Sequence, residues 1–181
     1  PVGTVFGKFR RIVRDLSATL GKSVDLQIEG EDVELDKTII EALGDPLTHL
    51  IRNSMDHGIE VPQVRRQQGK PVPAKLCLRA IHQAGQVLIE ISDDGAGIAP
   101  ERIRDKALSL GLYDRAELDA MGERDVVRLV FHPGFSTKEE VTDMSGRGVG
   151  MDVVHTNLTH LGGVVDIESA PGVGTTVRIN L

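Results

Sequence analysis

Two hairpin patterns, separated by helical segments, constrain the fold of this 181-residue sequence more than any other feature. Apolar and polar residues alternate over 75–82 and 86–92, with a turn at the Ala-Gly dipeptide between them. The alternation returns over 163–168 and 175–181, around the turn Pro-Gly-Val-Gly. Because short turns join antiparallel strands, the sequence predicts a mostly antiparallel sheet.

Helical periodicity fills most of the remaining chain. It predicts helices over 5–20, 37–43, 45–57, 100–110 and 149–161, one or two more within 114–130, and a strand over 23–29. The helix over 45–57 is expected to open with Asp45 as N-cap and Pro46 in its first turn. These elements indicate the α+β class, with one sheet covered by helices on one face.

Composition favours one domain with a substantial core, since 40% of the residues are hydrophobic. The net charge of −6 argues against nucleic-acid binding, which needs a broad basic face. The lone Cys77 cannot form an intrachain disulfide, and we find no signal peptide or membrane-spanning stretch. We therefore expect a soluble, cytoplasmic domain without membrane insertion. The chain starts within a helical pattern and ends within a strand, so we expect a piece of a larger multidomain protein.

The helix over 45–57 has an unusual polar face. At about 100° per residue, its polar residues fall within an arc of roughly 140°: His49, Arg52, Asn53, Asp56 and His57. The opposite side carries Leu47, Leu50, Ile51, Ser54 and Met55. An ordinary solvated face is the alternative, but such faces favour Lys, Glu, Gln and Arg, which form helices better than Asn, Asp and His. The face is therefore a candidate site for a metal or phosphate.

A second candidate is Asp93, which follows the strand over 86–92 and precedes Gly95 and Gly97. The glycines allow close approach of a ligand, and the carboxylate could accept a hydrogen bond from an exocyclic amine. A simple turn would also explain this motif. The phosphate loop GxxxxGK[ST] and the dinucleotide fingerprint GxGxxG are both absent from the sequence.

The third candidate is the glycine-rich segment that precedes the helix over 149–161. Gly146, Gly148 and Gly150 lead into Met151, and free N–H groups at a helix start can bind an anion. Upstream lie side chains that can hydrogen-bond phosphate: Ser136, Thr137 and Lys138. A flexible surface loop is the alternative for this segment.

Taken together, five motifs resemble those of one superfamily. HLIRNSMDHGIE, DDGAGI, FHPGFST, GRGVGMDVV and GVGTTV resemble, in order, the N, G1, F, G2 and G3 boxes of the GHKL ATPases. These include histidine kinases, gyrase-type topoisomerases, Hsp90 chaperones and MutL repair proteins. The runs MDHGIE and SGRGVGMDVV resemble more narrowly the ATP-binding catalytic domains of chemotaxis histidine kinases. The resemblance implies a two-layer α/β sandwich with a mixed, mostly antiparallel sheet, formed by residues 1–181 as one domain with an ATP lid at about 131–148.

The resemblance also implies roles for individual residues. Asn53 would bind Mg²⁺, His49 would assist through the metal or its water, and Asp93 would bind the adenine amine. The residues implied to surround the nucleotide are Arg52, Asp56, His57, Gly95, Gly97, Arg102, Lys106, Ser136, Thr137, Lys138, Gly146, Gly148, Gly150, Met151 and Thr175. Of these, His57 and Lys138 would act on the phosphates together with His49.

Three functions remain open at this stage: a histidine kinase, an ATP-hydrolysing clamp of the gyrase, Hsp90 or MutL type, and a nucleotide sensor without catalysis. Hydrolysing members of the superfamily carry a glutamate where this chain has His49, so phosphoryl transfer to a protein histidine is favoured. The resemblance implies that the acceptor histidine lies on a separate domain. It also implies partner domains for dimerisation and coupling, and chemoreceptors and a coupling protein reached through those domains.

Overall fold

The computed structural model describes residues 1–135 and 150–181. Its helices, in chain order, are α1 (Gly3–Leu20), α2 (Lys37–Asn53), α3 (Pro62–Gln67), α4 (Pro100–Ser109), α5 (Arg115–Ala120), α6 (Glu123–Val127) and α7 (Met151–His160). A π-helical turn, Ser54–Gly58, continues α2, and a 3₁₀ turn, Arg128–Phe131, follows α6. The strands are β1 (Val24–Glu29), β2 (Ala74–Gln83), β3 (Gln86–Asp93), β4 (Val164–Ala170) and β5 (Gly174–Asn180).

The strands form one five-stranded sheet in the order β1-β2-β3-β5-β4. β1 pairs with β2 in parallel, and the other three pairings are antiparallel. The predicted α+β class with a mixed, mostly antiparallel sheet is therefore confirmed. The register places Asp93, the last residue of β3, opposite Thr175 of β5.

The main core lies between one face of the sheet and the helices α1, α2 and α7. From the sheet it takes alternate residues, such as Leu76 and Leu78 of β2, and Ile89 and Ile91 of β3. From α1 it takes one helical stripe: Val5, Phe6, Phe9, Val13 and Leu16. Removing these apolar side chains from water is the main favourable term for the fold, at about 25 cal/mol per Å² buried.

A second, smaller core joins the helices between β3 and the segment outside the described residues. Its buried members are Ile103, Ala107, Leu118, Val126, Leu129 and Phe135. Phe135 thus anchors the start of the predicted lid, and residues 136–148 of that lid lie outside the described residues. Within 1–135 and 150–181, no helix is long and apolar enough to cross a membrane.

The predicted helix start at Asp45 and Pro46 is wrong. One helix runs from Lys37 to Asn53 with Pro46 inside it, and Asp36 is the N-cap, accepting a hydrogen bond from the Thr38 N–H at 2.8 Å. An apolar stripe continues across the proline and is buried on both sides of it: Ile40, Leu43, Leu47, Leu50 and Ile51. Packing of this stripe outweighs the hydrogen bond that a proline removes from a helix interior.

The short helix α3 is absent from the helices predicted above, because the sequence around it is polar and contains Pro and Gly. Pro62 lies in its first turn, where a missing N–H costs nothing. Arg65 of α3 is only 1% exposed, so its side chain points into the molecule.

Candidate functional site

A cleft of about 320 Å³ opens between the end of α2, the ends of β3 and β5, and the start of α7. Its lining combines polar side chains with an apolar wall. The lining residues are His49, Leu50, Asn53, Ser54, His57, Gly58, Asp93, Gly97, Ile98, Val130, Gly150, Met151, Ile167, Thr175 and Val177. The structure therefore brings together residues from all three sequence motifs.

Asp93 is the buried carboxylate of this cleft, at 8% exposure. Burial raises the pKa of Asp93 above its ordinary value, because a charge is costly away from water. Hydrogen bonds from the Gly95 N–H, the Ser54 side chain and the Thr175 backbone oppose that shift by favouring the ionised form. The Gly95 N–H donates to Asp93 Oδ1 over 2.9 Å, so the carboxylate has a defined orientation.

Ser54 is a site residue that the sequence analysis assigned to the wrong side of its helix. The chain leaves the α-helix at this point, since the Ile59 N–H donates to the Ser54 carbonyl at 2.8 Å, five residues back. Such a π-helical turn rotates the following positions relative to an ideal helix, and it is frequent at functional sites. At 100° per residue Ser54 lies about 60° from His57, so it borders the polar face, and the arc that ended at His57 excluded it.

Asn53 and His49 lie one turn apart on the cleft wall formed by α2. The side-chain amide of Asn53 donates to the thioether sulfur of Met151 at 2.9 Å, which connects α2 to the first residue of α7. The N–H₂ group of the amide is directed at Met151, so its carbonyl oxygen points in a different direction. Oxygen is the ligand type that Mg²⁺ prefers, so Asn53 fits the predicted metal-binding role.

Backbone contacts hold the strand end against the helix end. The Ala96 N–H donates to the Gly58 carbonyl at 2.8 Å, and a Cβ on Gly95 would lie only 2.2 Å from that carbonyl oxygen. A Cβ on Gly58 would lie 3.3 Å from Asp93 Oδ2. Glycine is thus required at Gly95 for close packing of the two elements that form the cleft.

Gly97 contacts the hairpin of β4 and β5. It has a φ of +70°, and a Cβ there would lie 2.1 Å from the carbonyl oxygen of Ala170. Gly85, in the turn between β2 and β3, has a φ of +77° but nothing within 4 Å of its Cβ position. The two glycines share the backbone strain of a substitution and differ in steric contact.

We expect Gly97→Ala to destabilise the fold more than Gly85→Ala. Each replacement costs about 1–2 kcal/mol for a side chain in the left-handed region. The overlap with Ala170 should add about 1–3 kcal/mol to the free energy lost at Gly97. Urea unfolding of both variants measures the difference, and equal losses would contradict the contact.

Other predicted residues lie outside the cleft wall. Arg102 is exposed, and the Lys106 ammonium lies 4.7 Å from the centre of the Phe135 ring. Arg52 and Asp56 are half-buried, and the Asp56 carboxylate lies 3.4 Å from the ring of its neighbour His57. None of these four side chains is part of the cleft lining, although His57 does line it.

The predicted phosphate loop is described only at its end. Gly150 is the N-cap of α7 and lines the cleft together with Met151. The remaining predicted residues of this loop lie outside the described residues: Ser136, Thr137, Lys138, Gly146 and Gly148.

The cleft has an apolar wall, a buried carboxylate at a strand end and polar side chains from a helix. This combination is typical of a binding site for a small organic ligand. Comparison with protein families gives the class: residues 42–181 match the family of histidine kinase-, DNA gyrase B- and HSP90-like ATPases. The chain belongs to this family. The superfamily resemblance of the five motifs is thus confirmed.

Two individual relatives are similar to this chain over its whole length. The chain is 54% identical over its full length to the chemotaxis protein CheA of Salmonella typhimurium, and 50% identical to the sensor histidine kinase CheAY of Helicobacter pylori. It spans 26% and 22% of the length of these two relatives.

Solved structures support the fold. The histidine kinase domain of the blue-light activated kinase of Erythrobacter litoralis is 16% identical, with a TM-score of 0.56, and the match covers all of this chain and 64% of that one. The catalytic domain of histidine kinase ThkA gives the same TM-score at 16% identity, covering 99% of this chain and 88% of that one.

Proposed function

We propose that this chain is the ATP-binding catalytic domain of a chemotaxis-type histidine kinase. It binds Mg-ATP and transfers the γ-phosphoryl group to a histidine on a separate acceptor domain. The observation that carries the proposal is the cleft that Asp93 and Asn53 share. The family of ATPases supports it, as do relatives named as a sensor histidine kinase and a chemotaxis protein, which are 50% and 54% identical over the whole chain.

In the proposed complex Asp93 recognises the base. Its carboxylate is buried and accepts hydrogen bonds at Oδ1 from Gly95, which leaves acceptor capacity for the amino group of adenine. A buried acceptor discriminates strongly, because a base without the donor would leave it unpaired. Thr175, paired with Asp93 across the sheet, borders the same position.

At the other end of the cleft, Asn53 and the start of α7 hold the phosphates. The Asn53 amide oxygen would be a protein ligand of Mg²⁺, and His49 would assist through the metal or its water. The ion supplies charge neutralisation on the phosphates, which together with positioning accounts for most of the catalysis of phosphoryl transfer. Gly150 presents the N-terminus of α7 to the anion.

Further side chains would contact the phosphates. On the described part of the chain these are Arg52, His57, Arg102 and Lys106, and the predicted lid would add Ser136, Thr137 and Lys138. Their contacts to phosphate, like the wrapping by Gly146 and Gly148, remain predictions.

Transfer is favoured over hydrolysis by the residue at position 49. Hydrolysing members of the superfamily carry a glutamate one turn before the asparagine, and this chain has the buried His49 there. The missing carboxylate supports transfer over hydrolysis. The ATP-hydrolysing clamp is the alternative, and the following experiment distinguishes it from the kinase.

The test mixes the chain with the acceptor-histidine domain of a chemotaxis kinase, Mg²⁺ and γ-labelled ATP. We expect an acid-labile phosphorylated acceptor, and little phosphate release from the chain alone. Robust phosphate release by the chain alone, lost on His49→Ala, would instead indicate a hydrolysing clamp. Absence of phosphohistidine on every acceptor domain tried would contradict the kinase.

The partners are proposals of the same kind. The acceptor domain and the dimerisation and coupling domains would belong to the same kinase, and chemoreceptors and a coupling protein would be reached through them. The relatives are three to five times longer than this chain, which leaves room for such domains. The cytoplasmic location and the absence of nucleic-acid binding remain predictions from the sequence.

A further inference from the structure

A buried ionic cluster lies directly behind the strand end that carries Asp93. Its members are Glu60, Arg65 and Lys70, whose side chains are 8%, 1% and 14% exposed. Glu60 pairs with both cations, at 2.9 Å to Arg65 Nη1 and 2.6 Å to Lys70 Nζ. Burial alone would raise the pKa of Glu60, but the bonds from Lys70 and Arg65 outweigh it and hold that pKa below its ordinary value.

Both cations also reach one peptide group, the one that joins Asp94 to Gly95. Arg65 Nη1 and Lys70 Nζ each donate to the Asp94 carbonyl oxygen at 3.2 Å. The N–H of the same peptide group, on Gly95, donates to Asp93 Oδ1 at 2.9 Å. The peptide is thus held at both ends, and its orientation directs the N–H at the Asp93 carboxylate.

Further bonds fix the surroundings of this peptide. Lys70 donates to the Gly95 carbonyl at 2.7 Å, and Arg65 Nη2 lies 3.1 Å from the Asp94 carboxylate. That carboxylate also accepts from the Lys75 N–H at 3.0 Å. If the peptide flipped, its N–H would face two cations and its carbonyl would face the Asp93 carboxylate.

Burying this cluster costs desolvation free energy, which makes a purely stabilising role a poor explanation for it. Two cations and the Glu60 carboxylate are largely removed from water, and such buried groups are often no more stabilising than apolar residues of the same volume. Apart from the pairs with Glu60 and one bond from Arg65 Nε to the Pro71 carbonyl at 2.8 Å, the contacts of both cations go to the loop after Asp93. Positioning of that loop is therefore the better account of the cluster than stability.

We propose that Lys70 and Arg65, balanced by Glu60, are positioning residues that set base selectivity by orienting Asp93 through the Asp94–Gly95 peptide. The inference rests on the proposed function, because it assumes that Asp93 binds the amino group of adenine. It assigns a role to three residues that do not line the cleft.

The test replaces Lys70, which is the most accessible member of the cluster. Lys70→Met removes the cation, Lys70→Arg retains it, and Lys8→Met is the matched control on the exposed side of α1. Calorimetry measures the affinities of each variant for ADP and for inosine diphosphate, in which an oxygen replaces the amino group.

We expect Lys70→Met to lower the affinity for ADP by about tenfold or more, because the hydrogen bond from Asp93 to the amine is weakened. The affinity for inosine diphosphate, which lacks this amine, should fall much less. The preference for ADP should therefore narrow. Lys70→Arg should recover most of the preference, and Lys8→Met should match the wild type. A general loss of stability would lower the affinities for both ligands alike. The ratio of the two affinities therefore separates a positioning role of Lys70 from a role in folding.

A second measurement needs no nucleotide. The amide proton of Gly95 should be protected from hydrogen exchange in the wild type and exchange at least about tenfold faster in Lys70→Met. If Lys70→Met does not fold, Lys70→Gln, which keeps a polar side chain at this partly accessible position, replaces it in both measurements.

The outcomes separate the two proposals. Wild-type protein that binds neither nucleotide overturns the proposed function and this inference together. Wild-type protein that prefers ADP, with the same preference and the same Gly95 protection in the Lys70 variant, overturns the inference alone.

Discussion

Asp93→Asn is expected to weaken ADP binding by at least about 100-fold while the protein stays folded. The substitution keeps the size of the side chain but replaces an acceptor oxygen by a donor N–H₂, which would face the amino group of adenine. A hydrogen bond to a charged acceptor contributes about 1.5–3 kcal/mol, and mispairing in a buried site adds to the loss. Isothermal calorimetry measures the affinity, and the unfolding temperature reports the fold.

The matched control is Asp25→Asn, at an exposed aspartate on β1 outside the cleft. It makes the same change of charge and should leave ADP affinity at the wild-type value. Unchanged ADP affinity in Asp93→Asn would contradict the assignment of the base-binding residue. A parallel loss in both variants would point to overall charge rather than to a specific contact.

The second large effect concerns Asn53. Asn53→Ala is expected to reduce the affinity for ATP in the presence of Mg²⁺ by at least about 10- to 100-fold, by analogy with the loss of groups that support a metal site. It should change nucleotide affinity little when the metal is chelated, because the base contact to Asp93 is retained. Titrations of ATP with and without Mg²⁺ measure both quantities.

Asn157→Ala, at an exposed position of α7, is the control for Asn53→Ala and should bind Mg-ATP normally. A loss of affinity in Asn53→Ala that is equal with and without the metal would show that Asn53 contacts the nucleotide or shapes the cleft instead. No loss under either condition would remove Asn53 from the site.

The sequence predicted the elements that carry the site because local patterns determine them. The predicted strand ends at residue 92 and β3 ends one residue later, at Asp93, and the alternating hairpins define the sheet. Asn53 and His49 share a face because they are one helical turn apart. That Asn53 and Asp93 share a cleft required the motif resemblance, since nothing local brings residues 40 positions apart together.

The incorrect predictions have tertiary causes. A proline normally lies in the first turn of a helix. Here α2 continues through Pro46, because residues on both sides of the proline are buried in the core. Ser54 was excluded because the polar arc was ended at His57, although Ser54 lies next to that edge and the packing of β3 against the end of α2 places Asp93 beside it.

The ionic cluster was missed for a different reason. Charged residues in a Pro- and Gly-containing segment normally indicate a solvated loop, and only the packing of α3 under the strand end buries Arg65. A partial signal exists in the sequence: Glu60 ends the first motif, and Arg65 and Lys70 follow it at intervals of five residues around a short helix.

The most direct test of the account is a crystal structure of the chain with Mg²⁺ and a non-hydrolysable ATP analogue. The account predicts the adenine amino group within hydrogen-bond distance of the Asp93 carboxylate, with the phosphates and the metal at the Asn53 side of the same cleft. An analogue bound elsewhere, or bound in this cleft with its base directed away from Asp93, would contradict it.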